Sequence, residues 1–150
     1  MRVLLDTNVL GVLCHRDREL RARARTLLAA IERNASQPTE LIVPELADFE
    51  LRRKLLHIGS TWSLVQLDRL ATDLIYLPIT TAIMRDAARL WAEARGRGLP
   101  TAPPHGLDGD AILAAQALSV HGSVATTNRG HLAAFGVAVE DLRELTAKKT

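Results

Sequence analysis

The sequence predicts an α/β protein in which helices cover both faces of a parallel sheet. Short apolar segments alternate with longer segments whose apolar residues recur at helical spacing. No hairpin turn joins two consecutive apolar segments, so the strands connect through helices, as parallel strands require. Strands buried on both faces form continuous apolar runs, and these segments have that character.

Turn and capping residues separate the predicted elements in the first half of the chain. Residues 37–39 form a turn before an apolar strand. Pro44 fits the first turn of the next helix, where its missing N–H group is not needed. Gly59 ends that helix, and Ser60 can cap the following one. The predicted elements are a strand at 2–6, a helical segment at 9–34 broken near 15–17, a strand at 41–43, and helices at 44–58 and 60–73.

The second half of the chain repeats this alternation. Pro78 ends an apolar strand, and Thr80 or Thr81 can cap the helix that follows. Prolines and glycines predict a loop at 99–109, and the helix after it is apolar nearly all round, which indicates burial. The predicted elements are a strand at 74–77, helices at 80–96 and 110–121, and strands at 123–126 and 137–139.

Length and composition predict one globular domain over residues 1–150. The chain is 47% hydrophobic and 24% charged, and only 3% of its residues are aromatic, so its core is aliphatic. This scarcity argues against a module that stacks RNA bases on exposed rings. A single cysteine, Cys14, excludes an internal disulfide and most zinc sites. No apolar run reaches the roughly 20 residues of a membrane span and no secretion leader is visible, so we expect a soluble cytoplasmic protein.

The positive charge is carried mostly by arginine. The net charge is +2, and every basic residue except Lys54, Lys148 and Lys149 is arginine. Five arginines lie within residues 16–25, and a guanidinium group matches the geometry of phosphate or carboxylate. The same segment can form a solvated helix face. The charge therefore permits a nucleic-acid partner without establishing one.

Oxygen-bearing side chains follow the predicted strands at the edge where parallel sheets bind ligands. Asp6 comes directly after the first strand, and Asn128 follows the fourth. Asp108 and Asp110 precede the buried helix, where one of them can cap its N-terminus and the helix dipole favours a negative group. Asp6 and Asn128 can also act as plain capping or turn residues.

Glu50 lies inside a predicted helix, at the edge of its apolar face. At about 100° per residue its side chain projects between Leu46 and Ala47, whereas Asp48 points roughly opposite to Leu46. An exposed ion pair between Glu50 and Lys54 is the structural alternative. Because a carboxylate at a buried edge is costly unless it is paired, protonated or bound to metal, we interpret Glu50 as a candidate ligand.

These side chains predict a metal-dependent site that cleaves phosphodiesters. Clustered carboxylates repel one another without a cation, and ligation by oxygen alone suits Mg²⁺ or Mn²⁺. Metal ions would activate water and stabilise charge on the scissile phosphate, while arginines on the surrounding basic surface hold the phosphodiester backbone.

Four motifs resemble, in order and spacing, those of the PIN-domain endoribonucleases of the VapC toxin type. They are Leu4-Leu5-Asp6-Thr7-Asn8, Glu50-Leu51-Arg52-Arg53, Asp110-Ala111-Ile112-Leu113-Ala114-Ala115 and Val124-Ala125-Thr126-Thr127-Asn128. The resemblance covers nearly the whole chain. It implies a three-layer α/β/α sandwich around a parallel sheet of four to five strands and a ribonuclease dependent on Mg²⁺ or Mn²⁺. It also implies a homodimer and a cognate VapB-type antitoxin that occupies the active-site groove.

The resemblance also implies roles for individual residues. Asp6, Glu50 and Asp110 match the three acidic metal ligands, and Asp108 matches an additional acid. Asn128 stands where some members have a fourth acid and others asparagine, which leaves one or two metal ions open. The residues that we expect to contact RNA are Thr7, Asn8, Arg16, Arg53 and Arg129.

Two other functions stay open on the sequence alone. A PIN-like domain that binds RNA or a protein without cutting would account for asparagine at position 128. A phosphatase of the haloacid-dehalogenase type also has a strand-end aspartate, but Asn8 stands where that family has its general-acid aspartate. The downstream lysine of that family is missing as well.

Overall fold

A parallel five-stranded sheet forms the centre of the structure. The computed structural model describes residues 1–97 and 104–146, except for the side chains of residues 104–106 and 131. The strands are β1 Arg2–Leu5, β2 Glu40–Pro44, β3 Ile75–Leu77, β4 Ser123–Thr126 and β5 Val139–Asp141. They lie in the order β3-β2-β1-β4-β5, and every neighbouring pair is parallel.

Helices connect the successive strands. They are α1 Thr7–Leu13, α2 Arg18–Asn34, α3 Glu45–Ile58, α4 Thr61–Asp73, α5 Thr81–Gly96, α6 Pro104–Ser119 and α7 Gly130–Ala133, with a short 3₁₀ helix at Arg143–Leu145. The Thr80 side chain caps α5 by accepting the N–H of Ile83, as predicted. Gly59 ends α3 with φ at 69°, a left-handed conformation that glycine adopts without strain. None of the helices in the described part of the chain is long and apolar enough to cross a membrane.

Alternate residues of the sheet face two separate hydrophobic cores. Val3 and Leu5 of β1 pack into the core that α1, α2 and α4 cover, whereas Leu4 packs into the core that α5 and α6 cover. All three side chains are fully buried. The predicted three-layer α/β/α arrangement is therefore confirmed.

The strand order reverses beside β1, and this reversal determines where a site can form. The chain passes from β1 to β2 and β3 on one side of the sheet, and then crosses to β4 and β5 on the other. Such a reversal opens a crevice at the carboxyl ends of the two central strands, where open α/β sheets bind ligands. Asp6 follows β1 and Thr126 ends β4, so both lie at this crevice.

The predicted loop before the buried helix is partly wrong. Residues 98–103 lie outside the described residues, but α6 already begins at Pro104. Proline is well suited to a first helical turn, so the helix extends further toward the N-terminus than its apolar residues suggest. Asp108 and Asp110 consequently lie within α6, and the prediction that one of them caps its N-terminus is wrong.

Two smaller predictions also need correction. The last strand is displaced by two residues, because Val139 is the residue that pairs with Val124, whereas Val137 is buried in the core before the strand begins. Ser60 occupies the predicted cap position of α4, but its side chain makes no capping hydrogen bond.

Candidate active site

Asp6 combines a structural role with a position at the crevice. Its backbone N–H donates to the carbonyl oxygen of Ala125 at 3.0 Å, which joins the ends of β1 and β4. Its Oδ1 accepts the N–H of Thr7 at 2.7 Å and so caps α1. Its Oδ2 accepts the hydroxyl of Thr126 at 2.6 Å. The capping interpretation is thus confirmed, and the same carboxylate is held in one orientation at the predicted edge of the sheet.

Thr7 joins Asp6 to Glu50 of α3. The Thr7 hydroxyl donates to Glu50 Oε1 at 2.9 Å, although the two residues are 43 positions apart. Glu50 is partly buried, with 31% of its side chain exposed, as its position at the edge of the apolar face predicts. Its nearest cation is the Arg53 guanidinium, 3.9 Å from Oε2, and no ion pair with Lys54 is present among the described residues.

A glycine on α6 lies directly against this carboxylate. A Cβ atom placed on Gly109 would lie 3.6 Å from Glu50 Oε2, so the backbone of α6 approaches Glu50 closely. Asp110, the next residue, is partly buried. Asp108 is exposed and lines a separate pocket between α5 and α6, beside Met84. The structure therefore brings the α6 backbone at Gly109 to Glu50, but it places Asp108 on another surface.

The end of β4 completes the arrangement. Thr126 is fully buried, and its hydroxyl accepts the backbone N–H of Asn128 at 3.0 Å while donating to Asp6. Asn8 Nδ2 donates to the Thr127 hydroxyl at 3.3 Å, which links the two strand ends again. Sequence reasoning singled out Asn128 and missed Thr126. Thr126 could have been identified from its place as the last residue of a buried strand, because a buried threonine hydroxyl needs a polar partner.

The donors at the crevice suit a hard divalent cation. The donor atoms are carboxylate and hydroxyl oxygens, and none is sulfur. Asp6 and Glu50 are connected through hydrogen bonds to Thr7, which carries no charge. Within residues 1–97 and 104–146, no three acidic, histidine or cysteine side chains lie close enough together to hold a metal ion. The oxygen donors are of the type that Mg²⁺ or Mn²⁺ prefers. The complete ligand set that the resemblance implies, Asp6, Glu50 and Asp110, stays a prediction.

The residues expected to contact RNA fall into two groups. Thr7, Asn8 and Arg16 line one groove next to the crevice, which has a volume of about 630 Å³. Arg53 instead lies over the ring of Phe49 at 5.0 Å, next to Glu50. Arg129 is exposed just after β4.

Asp48, on α3, was expected to point away from the apolar face, and this is wrong. It is buried, and its Oδ2 accepts the Tyr76 hydroxyl at 2.7 Å while Oδ1 pairs with Arg52 Nε at 3.0 Å. Burial, followed by the hydrogen bond to Asp48, raises the pKa of Tyr76. Burial and the charge of Asp48 likewise raise the pKa of the Cys14 thiol to about 12. The prediction failed because α4 and β3 pack on this second side of α3, which its own helical phase does not reveal.

The sequence matches a family model, and the fold matches solved structures, over most of the chain. The family model described as the PIN domain matches residues 3–136, a range that contains every candidate residue from Asp6 to Arg129. No curated protein sequence matches the chain.

Several solved structures share the fold at low sequence identity. VapBC2 from Rickettsia felis, bound to a DNA fragment from the promoter, is 15% identical with a TM-score of 0.73, and the match covers 94% of this chain and 98% of that chain. VapBC-1 from nontypeable Haemophilus influenzae is 18% identical with a TM-score of 0.70, covering 98% and 100%. FitAcB from Neisseria gonorrhoeae is 22% identical with a TM-score of 0.67, covering 93% and 96%.

Proposed function

Because the chain belongs to the PIN domain family, we propose that it is a VapC-type endoribonuclease that depends on Mg²⁺ or Mn²⁺ and acts as the toxin of a toxin–antitoxin pair. The observation that carries the proposal is the hydrogen-bonded set Asp6–Thr7–Glu50 at the reversal of strand order, with the α6 backbone against Glu50. Two carboxylates from distant elements, connected through Thr7, supply acidic oxygen ligands of the kind that metal-assisted hydrolysis requires.

We propose Asp6, Glu50 and Asp110 as the metal-binding residues on the basis of the family resemblance, since the described residues contain no preformed cluster of three such ligands. A bound Mg²⁺ or Mn²⁺ would lower the pKa of water and stabilise negative charge on the scissile phosphate. Thr126 and Thr7 act as positioning residues, because their hydroxyls each hold one carboxylate oxygen. These two hydrogen bonds fix the orientation of the Asp6 and Glu50 carboxylates. The carboxylates therefore need less reorganisation when a metal ion binds.

The other candidates have more peripheral proposed roles. Asn128, whose backbone N–H donates to the Thr126 hydroxyl that binds Asp6, has an amide in place of a fourth acid, so it adds no negative charge for a second metal ion. The exposed position of Asp108 makes it the weakest member of the proposed set. Thr7, Asn8, Arg16, Arg53 and Arg129 are proposed to bind RNA.

We also propose a VapB-type antitoxin as the partner. The solved structures with this fold include VapBC from Rickettsia felis and from nontypeable Haemophilus influenzae, which supports a partner of that class. The homodimer and the cytoplasmic location stay predictions from the sequence.

The test is cleavage of total cellular RNA with Mg²⁺ or Mn²⁺ by the wild type and by Asp6→Asn and Asp110→Asn, all prepared identically. Both variants and chelator should reduce cleavage to background. Asp86→Asn is the matched control, because Asp86 is an exposed aspartate of α5, on the other face of the sheet from α1. A contaminating ribonuclease would persist in every preparation, and cleavage at the wild-type level in both site variants would refute the proposal.

The non-catalytic alternative retains one specific observation, asparagine at position 128. It predicts RNA binding without cleavage at any divalent-ion concentration. The haloacid-dehalogenase alternative is not retained, because the chain belongs to the PIN domain family.

A further inference from the structure

A row of charged side chains lies on the side of α3 away from Glu50. Glu45, Asp48 and Arg52 follow one another at intervals of three and four residues, so they share one face of the helix. At 3.6 residues per turn, Glu50 lies about 200° around the helix from Asp48. These three residues, the polar row of α3, are thus separate from the candidate metal ligand but belong to the same helix.

The N-terminal part of the polar row binds to β3 and to the residues that follow it. Asp48 Oδ2 accepts the hydroxyl of Tyr76, in β3, at 2.7 Å. One turn earlier, Glu45 Oε1 accepts the N–H of Ile79, just after β3, at 3.1 Å. Both bonds lie before Glu50 in the helix, and β3 is an edge strand of the sheet. They therefore fix the start of α3 against this edge.

Arg52 extends the polar row to the neighbouring helix. Its Nε pairs with Asp48 Oδ1 at 3.0 Å, and its Nη1 pairs with Asp68 Oδ1 of α4 at 2.8 Å. Asp48 is buried, and both of its carboxylate oxygens have a donor within the protein. Charge-assisted hydrogen bonds have a defined geometry, whereas apolar contacts are non-directional. The row therefore defines the rotation of α3 about its axis more sharply than apolar packing does.

The rotation of α3 determines the position of the Glu50 carboxylate. The end of a side chain about 6 Å from a helix axis moves by about 1 Å when the helix rotates by about 10°. A bound Mg²⁺ requires nearly ideal octahedral geometry at about 2.0–2.1 Å, so a displacement of this size weakens its binding. Glu50 Oε1 also accepts the Thr7 hydroxyl at 2.9 Å, and a shift of about 1 Å away from Thr7 would break that bond.

Stability alone does not account for the polar row. A buried ion pair adds little net stability relative to apolar side chains of similar volume, because the cost of removing the charges from water offsets their attraction. The directional bonds of Asp48 instead select one arrangement of the three elements that they join, α3, β3 and α4.

We propose that Asp48, Tyr76 and Arg52 are positioning residues that hold Glu50 at the metal site by fixing the rotation of α3. This inference rests on the proposed function, in which Glu50 is a metal ligand. It gives a role in the reaction to groups on the side of the helix opposite Glu50.

The experiment measures metal binding in the absence of RNA. Electron paramagnetic resonance of free Mn²⁺ gives the Mn²⁺ affinity of the wild type, Asp48→Asn and Tyr76→Phe. Both substitutions retain the shape of the side chain. Each should weaken Mn²⁺ binding by about tenfold, the lower end of the range for groups that orient a metal ligand.

Val137→Ala is the control for a general loss of stability. Val137 is buried just before β5, at the edge of the sheet opposite to the candidate site. The substitution removes buried methyl groups and so destabilises the fold, but it should leave the Mn²⁺ affinity unchanged.

A second comparison tests whether the effect passes through Glu50. In the Glu50→Gln background, adding Asp48→Asn should leave the remaining Mn²⁺ affinity unchanged, because the carboxylate that the polar row positions is already gone. Such non-additivity is the mark of two residues that act on one interaction.

Three results would overturn the inference. The first is wild-type Mn²⁺ affinity in both Asp48→Asn and Tyr76→Phe, and the second is an equal loss in Val137→Ala. The third is a further tenfold loss in the Glu50→Gln background, which would mean that the row acts elsewhere. The proposed function fails by a different result: Mn²⁺ binding and RNA cleavage that are both unchanged in Asp6→Asn would refute the metal site and the role of the row with it. Binding and cleavage that depend on Asp6, with unchanged affinity in the row variants, would refute the inference alone.

Discussion

Gln116 joins the two helices that carry Glu50 and Asp110, and replacing it tests how the site is held together. Its side chain is fully buried in α6. Its Oε1 accepts the N–H of Leu46 in the first turn of α3 at 3.4 Å, and its Nε2 donates to the carbonyl oxygen of Leu77 at 2.9 Å. Pro44 precedes α3 and provides no side-chain cap, so Gln116 supplies an acceptor for an N–H group that has no partner within the helix.

The expected cost of Gln116→Met follows from these two bonds. Methionine has a similar length and flexibility, so the loss of volume is small. The substitution leaves the buried N–H of Leu46 and the partly buried C=O of Leu77 without these partners, at about 1–3 kcal/mol each, and the longer bond counts at the lower end. We therefore expect a loss of about 2–4 kcal/mol in the free energy of unfolding. With an m-value of about 2 kcal/mol/M, the urea midpoint should fall by about 1–2 M.

Urea unfolding followed by circular dichroism measures this shift. Gln66→Met is the matched control, because Gln66 is a partly exposed glutamine on α4 whose side chain forms no hydrogen bond with another described residue. The control should lie within about 0.5 kcal/mol of the wild type, as surface substitutions usually do. A Gln116→Met midpoint equal to that of the control would refute the argument that these bonds fix α3 against α6.

Three further predictions concern other buried polar groups. Thr126→Val removes the hydroxyl that holds Asp6, so RNA cleavage should fall and urea unfolding should show a loss of about 1–3 kcal/mol. Tyr76→Phe removes the donor to buried Asp48 and should cost a similar amount in the same assay. The pKa of Cys14 is raised to about 12 from 9.0, so only the unfolded thiol ionises between these values, and stability should fall as pH rises above about 9. Thermal unfolding against pH should show a smaller decline in Cys14→Ala.

Each of these predictions has a result that contradicts it. Unchanged cleavage in Thr126→Val would show that Asp6 does not depend on this hydroxyl. A wild-type urea midpoint in Tyr76→Phe would mean that Arg52 alone satisfies Asp48. Identical pH profiles for the wild type and Cys14→Ala would show that the thiol does not contribute to the alkaline decline.

The layers and most element positions could be predicted because they follow from local patterns. Continuous apolar runs such as residues 3–5 indicate strands buried on both faces, and Pro44 and Gly59 delimit a helix by backbone chemistry alone. The position of Asp6 at the crevice follows from the same rules, since a residue after a parallel strand lies at the carboxyl edge of the sheet.

Contacts between distant segments could not be predicted in this way. The helical phase of α3 predicts a single buried face. Asp48 lies on a second face of the helix, where Tyr76 of β3 and Arg52 bury it. The link from Thr7 to Glu50 depends on how α1 packs against α3, and no spacing in the sequence encodes that packing. Tertiary packing therefore decided which polar residues became structural.

The double role of Asp6 determines which substitution can test the site. Because its carboxylate caps α1, Asp6→Ala would remove a cap worth about 1 kcal/mol and confuse lost activity with lost stability. Asparagine is as good an N-cap as aspartate, so Asp6→Asn retains the bond to the Thr7 N–H and removes the charge. The amide can still accept one hydrogen bond, but it cannot serve as an anionic metal ligand. A loss of cleavage in Asp6→Asn at unchanged urea midpoint therefore reports on the chemistry of the carboxylate and not on the fold.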